Sequence, residues 1–561
     1  MTAVQLRAPR VSRGSGARVQ TRALSRALRL PEATTPHVDV RRDIPVPMPD
    51  GVTLLADLYR PRGAGPSPTV VVRTPYGRTG MMALLSARLL AERGLQVLLQ
   101  SCRGTFGSGG TLDPFRERDD GLATLDWVRD QPWHSGRLAT AGASYLGITQ
   151  WALAAGAGPD LAAVVAAVTS SDPRAETYPG DGLALELALS WAQIASVQEL
   201  RFGSLRPLLR RHRFLRALDS WPLARADRLL LGKTVPFYQE WLARSAPGDP
   251  YWTPRVFSDE VANVEAAVDL VGGWYDSFLP GQVRDFRRLR DAGRRVHLTV
   301  GPWTHVSPGL VAEATRRAIA VLRSHLVPGT GMPDEAPVRV FVTGAAEWRD
   351  SPDWPPPGVE EQRWHLHAGR ALAPTTPGPS EPDAYRYDPA NPTPALGGPV
   401  VFGRPRRDNA PLERRSDVVT YTSAPLTRPV EMLGSVRADV YLGSNRPHTD
   451  LFVRLCEVDA RGVSTHVCDG LRRLTAGAPA ATADGTRRVE VELSPIAHRF
   501  ARGHRLRAQI SSGAHPRFAR NPGTGRSLDS TDAELLTADQ RIFHDPQRPS
   551  ALVLPILRHG R

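Results

Sequence analysis

Ser144, Asp276 and His305 are the residues of this chain whose types and order best suit chemistry. Thr140-Ala141-Gly142-Ala143-Ser144-Tyr145-Leu146-Gly147 closes a β-like run and opens a helix-like one that reaches Ala155. Small residues before the serine suit a sharp strand-to-helix turn, where strained backbone angles push a hydroxyl out over a sheet edge. The glycines give the spacing Gly-x-Ser-x-x-Gly, one residue wider than the commoner Gly-x-Ser-x-Gly. Asp276 stands in Gly272-Gly273-Trp274-Tyr275-Asp276-Ser277-Phe278 and His305 in Gly301-Pro302-Trp303-Thr304-His305, each just beyond another β-like run. A serine alone is a weak nucleophile. It is activated by a histidine that takes its proton and returns it to the leaving group, with an aspartate fixing the imidazole tautomer. Singly, a serine in a glycine-rich turn, an aspartate ending a strand and a histidine after Pro-Trp have ordinary structural readings. At matching strand ends and in the order Ser, Asp, His, they predict acyl transfer at Ser144. His297 is the rival base, but it falls inside its strand and is read as structural.

An oxyanion forming during acyl transfer needs preorganised donors. The backbone N–H of Tyr145, which follows the nucleophile, is the natural first. The turn Arg73-Thr74-Pro75-Tyr76-Gly77 brings the Tyr76 hydroxyl to the same edge, where a second donor and a packing aromatic are equal readings. Other motifs fail. Gly232-Lys233-Thr234 lacks the first glycine of a phosphate loop, Asp227 standing in its place, and Gly104, Gly107, Gly109 and Gly110 have the wrong spacing for a dinucleotide fingerprint. Asp119-Asp120 reads as a helix N-terminal charge pair, no cluster has metal-ligand spacing, and no metal or other cofactor is implied.

The elements that must position these residues alternate. Strand candidates Ile44 to Pro47, Thr53 to Arg60, Thr69 to Arg73, Leu95 to Gln100, Leu138 to Ala141, Ala162 to Val168, Ala266 to Val271 and Val296 to Val300 are interspersed with helix-like runs. Such alternation predicts an α/β domain with a parallel sheet covered by helices on both faces. From about Asp172 to Pro254 the strand signal stops and helical periodicity replaces it, in Leu183 to Leu200 and around Arg206 to Leu231. An all-helical insertion there would lie over the carboxyl edge of the sheet, as a cap on the substrate pocket. After residue 330 the pattern becomes short alternating strands, such as Val436, Ala438, Val440 and Leu442, then Val489, Val491 and Leu493, then Leu506, Ala508 and Ile510. These predict an antiparallel sandwich. The expected units are a basic, disordered tail at 1–36, a catalytic domain at 37–330 with its insertion at about 172–254, and a β domain at 331–561.

The 561 residues exceed one ordinary core, and 41% hydrophobic with 23% charged residues is a globular balance. No stretch approaches the roughly 20 apolar residues of a membrane span. The net charge of +14 comes almost wholly from arginine, Lys233 being the only lysine; with 51 prolines and 49 glycines it reads as the imprint of a GC-rich genome. No basic and aromatic residues interleave as in a nucleic-acid module, so nucleic acid is excluded as a partner. The three cysteines, Cys102, Cys456 and Cys468, make no disulfide framework, and no secretory apolar region opens the chain. Both point to a cytoplasmic protein.

Arg73-Thr74-Pro75-Tyr76, Gly142-Ala143-Ser144-Tyr145-Leu146-Gly147 with Ile148-Thr149-Gln150-Trp151, Gly273-Trp274-Tyr275-Asp276 and Gly301-Pro302-Trp303-Thr304-His305 together resemble the cocaine esterase-like (CocE/NonD) hydrolases, relatives of the X-Pro dipeptidyl-peptidases. The resemblance extends over Gln100 to Gly110, Asp119 to Trp133, Pro337 to Trp354 and Pro516 to Pro522. It implies an α/β-hydrolase fold with a helical cap, followed by an all-β jelly-roll domain; the jelly roll is expected to buttress the catalytic domain and to offer surface for homo-oligomer contacts. It implies Ser144, Asp276 and His305 as nucleophile, acid and base, and Tyr76 as the second oxyanion donor. Trp151 and Phe278 fall where similar esterases line the acyl pocket, a role as core aromatics being equally open. One position departs: relatives commonly carry Asp after the glutamine of Gln100-Ser101-Cys102-Arg103-Gly104, which puts the anchoring of that loop and of Arg103 in question. The expected activity is hydrolysis of small-molecule esters, or of amides, through an acyl-enzyme. Its rivals are an X-Pro dipeptidyl-peptidase-like or β-lactam acylase activity and, from another class, a non-catalytic carbohydrate- or partner-binding protein.

Overall fold

Short apolar runs between glycine and proline turns are too brief to close helices, and here they assemble one large sheet. The computed structural model describes residues 11–12, 16–200, 211–332, 334–400, 403–477 and 479–558. Eleven strands take the order β1-β2-β3-β5-β4-β6-β7-β8-β9-β10-β11. They are β1 (Val11–Ser12), β2 (Val38–Pro47), β3 (Thr53–Pro61), β4 (Ser67–Thr74), β5 (Gln96–Ser101), β6 (His134–Ala143), β7 (Leu161–Ala167), β8 (Ala267–Gly273), β9 (Val296–Gly301), β10 (Val338–Val342) and β11 (Glu347–Ser351). The run β5-β4-β6-β7-β8-β9-β10 is parallel, while β2, β3 and β11 pair antiparallel at its flanks. Helices cover both faces, so every residue of β5 is buried, the polar Gln96, Gln100 and Ser101 as well as the apolar Val97, Leu98 and Leu99. The eight strands expected from sequence up to residue 300 are all present; β2 begins six residues before the expected Ile44 and β6 four before Leu138, and the others agree to within two residues at each end.

Between β7 and β8 no described residue is in a strand, and short helices such as Leu185–Val197, Arg211–Leu218 and Pro236–Ala243 fill the gap. The helical periodicity expected around Arg206 starts in residues 206–210, which lie outside the described residues. Helical structure runs on to Ser258–Asn263, past the expected end near Pro254.

Two expectations are corrected. The tail is not disordered over 16–36: Gly16–Ala27 is a helix whose exposed Arg22 and Arg26 face solvent while Thr21 is buried, its hydroxyl donating to Glu92 at 2.9 Å. Arg93 donates to Ser25 Oγ and to the Pro31 carbonyl, and Arg316 to the Leu28 carbonyl. The helical period of this segment is carried by Arg18, Arg22 and Arg26, four residues apart, which in sequence read as a basic tail. The first sheet also continues beyond residue 331, because β10 adds beside β9 with Val338 opposite Leu298 and Val340 opposite Val300. A period of two says that a segment is a strand, not which sheet it joins.

The remaining strands, from Val359–His367 to Ala551–Leu557, form a thirteen-stranded second sheet system. Its core gathers the alternating residues expected from sequence, with Ala438 opposite Val491 and Val440 opposite Val489. This all-β domain braces the first. Ala519 donates its N–H to the Leu183 carbonyl at 2.9 Å, Arg472 meets Asp181 at 3.1 Å, and Arg349 and Arg499 share Glu347 and Glu431. The helical insertion is thereby held between the sheet edge and the β domain.

Candidate active site

Ser144 follows β6 directly, at φ 58° and ψ −126°, and caps the helix Tyr145–Ala154. Such angles cost a non-glycine residue about 1–3 kcal/mol and persist only where the surroundings hold them. The surroundings do so from both sides. Ser144 N–H donates to the Ala167 carbonyl at 2.9 Å, and the Ser144 carbonyl accepts from Gly147 at 2.8 Å and Ile148 at 3.1 Å. The two glycines of the motif are close-approach positions: a Cβ at Gly142 would stand 2.4 Å from Leu146 Cβ, and one at Gly147 would run into the Thr169 side chain at 2.3 Å. The wider spacing of the motif is thus fixed by where the helix meets the end of β7.

The loops after β8 and β9 pin each other above this turn, Trp274 N–H donating to the Gly301 carbonyl at 2.9 Å and Tyr275 N–H to the Trp303 carbonyl at 3.0 Å. They bring Asp276 and His305 to Ser144. His305 Nδ1 donates to Asp276 Oδ2 at 2.6 Å, since a buried carboxylate beside an imidazole acts as the acceptor. That tautomer leaves Nε2 free to accept from Ser144 Oγ, 2.9 Å away. Asp276 is itself 1% exposed and fixed through Oδ1, which accepts from the Phe278 N–H at 2.9 Å. The Phe278 ring stacks on the imidazole, centroids 5.2 Å apart. The arrangement can take a proton from a serine hydroxyl and stabilise the imidazolium that results.

Tyr145 opens its helix next to Ser144, so its N–H has no carbonyl one turn earlier to bond. Its ring is anchored below, its hydroxyl donating to Glu117 at 2.8 Å while Arg73, itself buried, holds Glu117 at 2.9 Å. The Tyr76 hydroxyl accepts from Trp191 Nε1 at 3.1 Å and remains a proton donor across the neutral range. Burial pushes it up to about 12, against the opposite pull of hydrogen bonds with Trp191 and Ser144. Of the sequence-derived residues, the structure therefore gathers Ser144, His305, Asp276, Tyr145, Tyr76 and Phe278 in one place.

A cavity of about 560 Å³ opens over Ser144, lined in part by Phe115, Trp191, Trp241 and Phe278. Trp151 does not line it. This corrects the acyl-pocket placing of that residue: Trp151 is 3% exposed, packed in the main core. Seven residues past Ser144, it lies about 10 Å down the helix from the sheet edge. Sequence reading missed Trp191 and Trp241. Both come from the insertion, whose helical period announces helices but not which face looks down on the sheet.

Glu176 was missed too. It lines the same cavity at 7% exposure, one oxygen accepting from Ser170 Oγ at 2.9 Å. Burial pushes its carboxyl up to about 8, partly countered by the Arg284 charge and the Ser170 bond. The unfolded chain releases this proton near the ordinary 4.5 and the folded chain keeps it until about 8, so folding stability falls as pH rises through that window. Glu176→Gln removes the titration. Its melting temperature should gain on the parent progressively from pH 5 to pH 8, equivalent to roughly 2–5 kcal/mol at the upper end. A gap that stays constant with pH would contradict this.

With Ser101 in place, the loop keeps its anchors. Ser101 Oγ accepts from Arg78 at 2.5 Å, and Asp57 and Asp43 supply the carboxylates for that guanidinium at 3.1 and 2.7 Å. Arg103 is held independently by Asp120 and Asp50. His297 lies in β9 beside Asp269 and Glu335, away from Ser144. Among the described residues no group of three or more His, Cys, Asp or Glu side chains is placed to hold a metal, and no helix is long and apolar enough to cross a membrane.

Comparison with known proteins agrees with this architecture. Residues 50–307 match the X-Pro dipeptidyl-peptidase (S15 family) model, and residues 330–553 match the X-Pro dipeptidyl-peptidase C-terminal non-catalytic domain. Cocaine esterase of Rhodococcus sp. (strain MB1 Bresler) is 31% identical over 93% of this chain and 99% of its own length. Among solved structures, an α-amino acid ester hydrolase shares the fold at a TM-score of 0.79, with 22% identity over 94% of this chain and 98% of that one. An aminopeptidase from a marine sediment archaeon, Thaumarchaeota archaeon, shares it at 0.78, with 22% identity over 92% and 96%. The chain is a serine hydrolase with an α/β hydrolase domain followed by an all-β domain, and it belongs to the cocaine esterase-like CocE/NonD family, relatives of the X-Pro dipeptidyl-peptidases.

Proposed function

We propose that the protein hydrolyses carboxylic esters through an acyl-enzyme on Ser144, with His305 as general base and then acid, and Asp276 as the residue that orients it. The observation that carries this reading is the unbroken hydrogen-bond chain Ser144–His305–Asp276 at the floor of an apolar cavity. Tyr145 N–H and the Tyr76 hydroxyl serve as the oxyanion donors. The insertion acts as a cap that supplies the aromatic wall, and the second domain is read as a jelly roll that braces the cap. The catalytic unit is read as about 37–330 together with the two strands that extend its sheet, and the bracing unit as the rest. Free, buried cysteines accord with a cytoplasmic protein.

A second reading, cleavage of X-Pro amides, draws support from Glu176, a carboxyl in the cavity wall that could meet a substrate ammonium. Held protonated up to about 8, it offers little charge at neutral pH, which favours the ester reading. The two are separated by turnover of p-nitrophenyl butanoate against alanyl-prolyl-p-nitroanilide. The ester should be preferred by at least a hundredfold in kcat/KM, and preference for the anilide would reverse the assignment. A fluorophosphonate should label Ser144; an unlabelled protein would favour a purely binding role.

A further inference from the structure

The aromatic wall accounts for only part of the cavity. On the other side of Ser144 the space continues between two helices that cover the sheet: the helical run Gly80–Ala83, Leu84–Arg88 and Leu89–Ala91, and the helix Pro308–Leu326. Met82, Leu85 and Leu90 line it from the first, and Val311, Ala314 and Ala318 from the second. The latter three recur at helical spacing along a single face, so the lobe runs about 10 Å parallel to that helix. Alanines at 314 and 318 make the room, since larger residues at this spacing would close the two helices on each other. The first helix carries a π segment at Leu84–Arg88, a local widening often found beside functional sites.

The ionisable residues of both helices turn elsewhere. Arg88 pairs with Glu92, Arg316 with Glu313 and Arg317 with Asp269, and none of them lines the cavity. Two apolar side chains that line it, Met81 at 58% and Val306 at 49% exposure, also reach solvent and form an apolar rim. An uncharged slot of this length, with no hydrogen-bonding group beyond Ser86 and Thr315, fits one chemistry.

We propose that this lobe takes an unbranched alkyl chain of the substrate, which makes medium-chain aliphatic esters the preferred substrate class. The inference rests on Ser144 being the nucleophile. The chain can belong to the acid or to the alcohol of the ester, and two substrate series tell which: p-nitrophenyl esters from acetate to decanoate, and alkyl benzoates from methyl to octyl. In one of them kcat/KM should climb roughly three- to fourfold per added methylene. It should level off once the chain outgrows a slot of about 10 Å. Flat profiles in both series overturn the proposal.

Ala318→Phe fills the far end of the lobe. It should lower kcat/KM for the longest substrates of the climbing series at least tenfold and leave the shortest within twofold. An equal loss at all lengths, with an unchanged melting temperature, overturns the proposal. If that variant does not fold, Met82→Ala should move the optimum to longer chains, and an unmoved optimum counts against the lobe. Binding is read separately by calorimetry, with methyl octanoate and Ser144→Ala: affinity should fall at least tenfold when Ala318→Phe is added. Binding of this kind by a wild-type protein that turns over no ester would sink the catalytic reading and keep the lobe. Turnover of short esters with no dependence on chain length would sink the lobe alone.

Discussion

Ser144→Ala is expected to lower kcat on p-nitrophenyl butanoate by roughly 10⁵–10⁶-fold, which corresponds to about 7–8 kcal/mol of transition-state stabilisation. In the proposed mechanism the hydroxyl is the attacking atom, so the loss is large: His305 with Asp276 has nothing left to activate. Residual catalysis above water remains, since Tyr145 N–H, Tyr76 and the cavity still orient the ester. The fold should survive. Ser144 holds its turn through backbone bonds to Ala167, Gly147 and Ile148, which alanine keeps, so stability should change by no more than about 1 kcal/mol. Steady-state kinetics and a thermal melt on the same preparation check both halves. Turnover within tenfold of the parent would remove Ser144 from the mechanism.

Asp276→Asn is expected to cost about 10⁴-fold in kcat with KM little changed. The size follows from a tautomer. Phe278 N–H can only donate, so the asparagine carbonyl must take the place of Asp276 Oδ1, and the amide NH₂ is turned towards His305 Nδ1. Nδ1 must then accept, which moves the imidazole proton to Nε2, against Ser144 Oγ, where an acceptor is required. The ring stays in place under Phe278, so substrate binding is spared. A loss of less than tenfold would show that Asp276 does not set the tautomer.

How much of this was legible can be followed residue by residue. The three strand ends that carry Ser144, Asp276 and His305 were readable because buried parallel strands are apolar runs, and their ends are marked by glycine and by a change of period. The alternating strands of the β domain were readable for the same reason. The change to short strands after residue 330 was recognisable, yet the pairing of Val338–Val342 with β9 was not, because pairing is a long-range choice that the local pattern does not encode. The helix at Gly16–Ala27 was missed because its period is carried by Arg18, Arg22 and Arg26, which read as a basic tail, and its docking runs through Thr21 and Ser25.

By itself the sequence determined the candidate residues and their order: a serine at a glycine-flanked turn, then an acid, then a histidine, each at the end of a strand in an alternating α/β pattern. Those features are local, and they follow from backbone sterics and from the side-chain period. Only the tertiary structure decided what surrounds them. It turned Trp191 and Trp241 onto the cavity and Trp151 into the core, buried Glu176 beside the site, set Arg78 among Ser101, Asp57 and Asp43, and opened a slot at Ala314 and Ala318. Which face of a helix meets which neighbour depends on packing between segments far apart in the chain, and no single segment carries that information.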